Sequence, residues 1–206
     1  MFWTKQDVFN YVQMRKQIIT LENHSDFLAD KVHFFFAVRN NFAVKQDFSV
    51  LNLFKPVYTD LLGFTFASDF HSLHPTLIMT SEVKGIPLGL ATARAFGVPL
   101  AVCRFRNRAS DGPAVCVHYP TQSGEVRSMY MGTKNLCSQD KILLIDDFMH
   151  GGSTAAGMAQ VVHEFRAELL GIGVFIAMDE PEEKAVDDYH ALLKLSVQDG
   201  KRIAVC

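Results

Sequence analysis

The stretch ILLIDDFMHGGST, residues 142–154, runs four aliphatic side chains into two adjacent aspartates and then into a turn with almost no side chains. A short apolar run bounded by turn residues reads as a strand buried on both faces, the pattern of parallel sheets. Gly151 and Gly152 followed by Ser153 and Thr154 read as a tight turn that opens a helix over residues 153–169. In an open α/β sheet this order puts Asp146 and Asp147 at the carboxyl end of a central strand, where such sheets collect ligands. Adjacent carboxylates repel each other and are costly to desolvate, so a site holding both must supply hydrogen-bond donors or cations. Vicinal sugar hydroxyls are suitable donors, and the N–H groups and hydroxyls of residues 151–154 can cradle a phosphate at a positive helix end. One ligand with a ribose diol and a 5-phosphate meets both demands.

Working outward, short strands alternate with helices. LIMT (77–80) reads as a buried strand, IPLGLATARAF (86–96) as a helix ended by Gly97, and VPLAVCR (98–104) as a second strand. AVCVHYP and EVRSMYM, joined by TQSG, read as a hairpin whose Gly124 permits the turn. GIGVFIAM (171–178) is a further strand. The class is therefore α/β, a doubly wound and mostly parallel sheet flanked by helices, with the hairpin as a flexible loop. Before it, residues 1–72 read as a helical N-terminal segment, with a capping-box-like start at Thr4 and Asp7. It is either a hood over the site or a packing or subunit-contact region, and residues 73–206 form the core domain.

Composition narrows the function classes. The chain has 206 residues, 49% apolar and 20% charged, with a net charge of -2, so no broad basic field favours nucleic acid or an anionic membrane. No apolar run approaches the ~20 residues of a membrane span. Cys103, Cys116, Cys137 and Cys206 show no C-x-x-C spacing and no leader is read ahead of them, which points to a reduced, cytoplasmic compartment. Cys103 and Cys116 lie in apolar runs and read as small buried hydrophobes. The eight histidines lack metal-ligand spacing, and the absence of G-x-G-x-x-G after the first strand argues against a dinucleotide binder.

Residues 142–154 resemble the motif of type I phosphoribosyltransferases that binds phosphoribosyl pyrophosphate (PRPP), in which hydrophobic residues precede an acidic pair and a small-residue loop. The likeness runs through SEVKGIPLGLATARAFGVPLAVCRFRNR, the hairpin, and KILLIDDFMHGGSTAAGMAQVVHEFRAELLGIGVFI, which are similar to xanthine- and adenine-type purine phosphoribosyltransferases. These segments most resemble the PRPP-binding effector domain of purine-operon repressors, as does DDYHALLKLS near the C-terminal end. The resemblance covers about residues 50–200.

It implies that Asp146 and Asp147 hold the ribose hydroxyls of PRPP while Gly151, Gly152, Ser153 and Thr154 bind its 5-phosphate. His150 stands at a loop position that varies in the family; it either meets a leaving proton or the phosphate, or is a solvated loop histidine. Glu82, Val83, Lys84 and Gly85 resemble the pyrophosphate loop, where glycine lets the backbone approach an oxyanion and lysine supplies a cation. The family often carries a cis non-proline peptide in this loop, expected here between Val83 and Lys84. Arg104, Arg106 and Arg108 resemble the basic stretch leading into the mobile loop, with Phe105 where many members have lysine. Mg²⁺ is expected on substrate oxygens, with no protein ligand, and a homodimer is implied.

Base choice rests on Phe148, which either stacks on a purine or is simply core, and on Met178, which occupies the position of a lysine in xanthine-type enzymes. Asp179 and Glu180 beside it would favour exocyclic amino groups. Two functions stay open. One is a purine phosphoribosyltransferase that transfers the 5-phosphoribosyl group of PRPP to a base nitrogen and releases pyrophosphate; the other is a non-catalytic PRPP or nucleotide sensor.

Overall fold

The computed structural model describes residues 56–107, 112–179, 183–198 and 202–205. The helices expected before residue 56, together with Arg108 and Glu180, lie outside the described residues. In chain order the elements are α1 (Pro56–Asp69), a 3-10 turn (His71–Leu73), β1 (Leu77–Ser81), α2 (Gly85–Phe96), β2 (Leu100–Cys103), β3 (Ala114–Pro120) and β4 (Val126–Gly132). They continue with β5 (Lys141–Met149), α3 (Ser153–Glu164), β6 (Glu168–Met178), β7 (His190–Gln198) and β8 (Arg202–Val205).

One sheet has the order β2-β1-β5-β6-β7-β8, parallel throughout except for β8, and β3 pairs with β4 in the expected antiparallel hairpin. From β1 the chain first winds outward to β2, then returns and winds the other way through β5, β6 and β7. The reversal makes a switch point between β1 and β5, and the crevice above it opens at their carboxyl ends.

Ile142, Leu143, Leu144 and Ile145 of β5 are each wholly buried, and burial of such side chains stabilises by about 1.5–3 kcal/mol apiece. Strand alternation divides them. Ile142 and Leu144 pack with Val117, Tyr119, Met129, Met158 and Val161 of the hairpin and α3, whereas Leu143 and Ile145 pack with Phe66 and Leu88 of α1 and α2. Helices thus cover both faces. α1 approaches α2 backbone to backbone, since a Cβ on Gly63 would stand 2.6 Å from the Ala91 carbonyl carbon. Phe66 reaches on to the sheet, where a Cβ on Gly173 would meet its ring at 2.9 Å. The part of the N-terminal segment that is described is therefore a packed layer of the core.

Several boundaries differ from the sequence reading. β5 continues through the acidic pair to Met149 because β6 pairs with it as far as Met149 and Ala177. α3 stops at Glu164, five residues early: Arg166 turns to φ 56, and Glu168 N–H donates to Asp140 O at 2.9 Å, starting β6. Cys103 is wholly buried as expected, but Cys116 is exposed. The alternation of β3 turns Val117 and Tyr119 inward and Cys116 and His118 outward.

Candidate functional site

The sheet brings the acidic pair to the switch point. Asp146 is 5% exposed, and its Oδ1 accepts the Asp147 backbone N–H at 3.0 Å. Burial holds the Asp146 carboxyl well above the usual aspartate range, and the neighbouring Asp147 charge pushes it further. Asp147 is also raised by burial, an effect opposed by hydrogen bonds and by the Lys84 ammonium. Its Oδ2 is buried without a hydrogen-bond partner. A carboxyl pair in this state accepts protons or hydrogen-bond donors readily, which is what binding a diol requires.

Directly behind the pair, the chain turns through exposed His150 and buried Gly151 and Gly152 into α3. Gly152 has φ 76, a left-handed conformation that favours glycine, and no side chain caps the helix. The first turn of α3 therefore offers its N–H groups and the half-buried Ser153 and Thr154 to an anion. Two segments hold this loop from either side. The Gln122 side chain, at the tip of the hairpin, lies so close to Gly151 that a Cβ there would collide with it. On the other side, Ala185 N–H donates to Gly151 O at 2.8 Å and Val186 sits 3.2 Å from a Cβ position on Gly152. Tyr119 braces the hairpin along α3, its ring 2.7 Å from where a Cβ on Gly157 would stand.

The turn leaving β1 is the second wall. Glu82 N–H donates to Cys103 O at 3.0 Å, while its carboxylate accepts the Phe105 N–H at 2.6 Å and faces Arg104 Nη1 at 3.6 Å. A cis peptide does lie in this turn, but between Glu82 and Val83, one bond earlier than expected; the chain bends directly after the Glu82 anchor. Val83 points to solvent at 72% exposure, Lys84 lies beside Asp147, and Gly85 opens α2. Arg104 exchanges backbone hydrogen bonds with Tyr130 at 3.0 and 2.8 Å, which ties the end of β2 to the hairpin. Arg106 is exposed.

Residues expected near a base end on neighbouring strands. Phe148 of β5 is half-buried and pairs in register with Ile176, and Met178 closes β6 as a buried side chain. Lys184 Nζ donates to Asp179 O at 3.3 Å, folding the segment after β6 back on the strand end. Sequence reasoning missed Thr80, Gln122, Ala185 and Val186 as parts of the site. Only Gln122 carried a signal, as a residue of the TQSG turn. Among the described residues no group of three or more His, Cys, Asp or Glu side chains is placed to hold a metal ion, and no helix is long and apolar enough to cross a membrane.

Fold and site together define a doubly wound α/β protein with an acidic pair and an uncapped helix N-terminus at its switch point. The chain belongs to the phosphoribosyl transferase domain family, whose model matches residues 56–205. It is 34% identical over 152 residues to the purine biosynthesis transcriptional repressor PurR of Bacillus subtilis, covering 73% of this chain and 53% of that protein. It is 36% identical over 135 residues to the xanthine phosphoribosyltransferase of Geobacillus thermodenitrificans, covering 65% of this chain and 66% of the enzyme. Among solved structures, the adenine phosphoribosyltransferase of Rhodothermus marinus superposes with a TM-score of 0.60 at 20% identity over 68% of this chain and 81% of that one, a likeness of fold. The chain spans about half the length of the PurR regulators it matches.

Proposed function

We propose that this chain binds PRPP at the switch point and transfers its phosphoribosyl group to a purine base with release of pyrophosphate. The observation that carries the reading is a buried acidic pair near the end of β5 on the same strand-to-helix passage as the uncapped start of α3. Asp146 and Asp147 would accept the ribose hydroxyls, and the N–H groups of α3 with Ser153 and Thr154 would hold the 5-phosphate. Lys84, with Arg104 and Arg106 behind it, would face the pyrophosphate. In the transfer, a base nitrogen forms a bond to the anomeric carbon as the bond from that carbon to the pyrophosphate oxygen breaks; the electron pair leaves with pyrophosphate, and the base nitrogen gives up its proton to the departing pyrophosphate or to water.

Mg²⁺ would be carried on the ligand's own oxygens, since this ion prefers phosphate oxygens and water. Bound there, it would neutralise the leaving diphosphate. The protein's share would be orientation and exclusion of water, the two turns holding the ends of the sugar phosphate, with Gln122 at the hairpin tip lying against Gly151.

The similarity to PurR favours a second reading, a PRPP-responsive regulatory domain that does not turn over. Phe105, where a family cation is expected, points the same way. Pyrophosphate release from PRPP and Mg²⁺, with adenine, guanine, hypoxanthine and xanthine offered in turn and a control without base, separates the two. Base-dependent release supports the transferase and names its substrate. Tight calorimetric binding of PRPP without release for any base would transfer the conclusion to the regulator.

A further inference from the structure

Thr80, near the end of β1, is wholly buried, and its hydroxyl has no hydrogen-bond partner. Two glycines one helical turn apart in α2 stand over it. A Cβ on Gly89 would lie 3.1 Å from Thr80 Cγ2, whereas one on Gly85 would collide with Thr80 Oγ1. The helix therefore fixes the side chain with its methyl under Gly89 and its hydroxyl under Gly85. The same Gly85 position is 3.1 Å from Asp146 Oδ1, so hydroxyl and carboxyl converge on one point above the switch. Valine would fill this space without burying an unpaired hydroxyl, which is unfavourable in a protein interior. A hydroxyl can accept from a protonated carboxyl and donate to an ionised one, and valine can do neither.

We propose that Thr80 is a positioning residue for Asp146, its O–H bond rotating beneath Gly85 to donate to the Asp146 carboxyl once that carboxyl is ionised, the state in which it accepts the hydroxyls of its ligand. The proposal rests on the reading of Asp146 as a ribose-binding residue. Other ionisable groups around Asp146 are Asp147 on the same strand, the Cys103 thiol of β2 and the Tyr119 phenol of β3, with Lys84 alongside Asp147. Thr80 adds a neutral donor on the α2 side.

The test is calorimetric binding of Mg²⁺-PRPP between pH 5 and 9 to the wild-type chain, Thr80→Val and Thr80→Ser, with the melting temperature of each. One hydrogen bond to a charged group corresponds to about tenfold in affinity and about one pH unit in the acid limb. Thr80→Val should bind about tenfold more weakly at pH 6 with an unchanged or higher melting temperature, and Thr80→Ser should recover most of the loss. Equal affinity of the valine variant at every pH would overturn the proposal, as would equal losses in both variants with lowered melting temperatures, which is the mark of packing alone. If the wild-type chain binds no PRPP, the functional reading fails, and carboxyl-carbon NMR titration of Asp146 decides the proposal separately. An upward move of its titration in Thr80→Val supports the contact, and an unmoved titration overturns it.

Discussion

The turns that leave β1 and β5 both lead into twelve-residue helices, and they are built on opposite principles. The first is made of side chains. Glu82 is tied to Phe105 N–H and Arg104, Lys84 faces Asp147, and the helix begins at Lys84 in ordinary right-handed backbone. The second is made of backbone: Gly152 at φ 76 starts α3, and neither glycine carries a group of its own. A ligand bound between them would meet a charged wall on one side and an array of N–H groups on the other. Glycine serves both turns for different reasons. Gly85 admits a rigid, buried neighbour, while Gly151 admits the mobile end of Gln122.

The comparison breaks first at the carboxylates that lie between the two turns. Replacing Asp146 and Asp147 by asparagine should weaken PRPP binding at least about 100-fold, since two charged acceptors are lost together. The unliganded protein should become more stable at pH 7 by roughly 1–2 kcal/mol, the usual exchange when a destabilising functional group is removed. The sign follows from linkage. Both carboxyls are raised in the folded state, so the folded chain holds more protons than the unfolded chain just above the ordinary aspartate range. The contribution of these two carboxyls to stability is therefore fully present below that range and is lost as pH rises through the raised values. Urea unfolding between pH 4 and 8 should show this fall in the wild type and its loss in the double variant.

Smaller effects should separate the two turns. Gly85→Ala forces a Cβ into Thr80 Oγ1 and toward Asp146 and should lower stability by about 1–3 kcal/mol in urea unfolding. Gly152→Ala places a side chain in left-handed backbone, a penalty of about 1–2 kcal/mol. Gly151→Ala should fall below that, because Gln122 can swing aside; a loss equal to that of Gly85→Ala would erase the distinction between the turns. Glu82→Gln, at a partly exposed ion pair, should change stability by less than about 1 kcal/mol, with a greater effect on the mobility of the backbone at Phe105 as read by amide exchange.

How far these features could be read in advance depends on whether they were local. The β5–glycine–α3 passage was legible because four aliphatics, two acids and two glycines state strand, acidic strand end and turn within thirteen residues. The hairpin was legible from its own alternation and its TQSG turn. β7 and β8 were not assigned as strands, although LKLSVQ (193–198) carries the apolar–polar alternation of a strand and pairs with β6 and β8. Thr80 was hidden inside a run that reads simply as buried strand, and its closeness to Gly85 and Gly89 is set by the packing of α2 on β1. Gln122 meets Gly151 across 29 positions of sequence through tertiary packing, so the turn revealed its shape but not its neighbour. Arg104, taken as part of a basic cluster, turned out to be engaged by Glu82 and Tyr130.

The central claim is that one ligand joins the acidic pair to the start of α3, and ribose 5-phosphate carries the diol and the phosphate without the pyrophosphate. Calorimetric titration of this compound into the wild-type chain and into D146N/D147N is the most direct test. Saturable binding to the wild type that disappears in the double variant is the predicted result. The same affinity for both proteins would contradict the site assigned to the acidic pair.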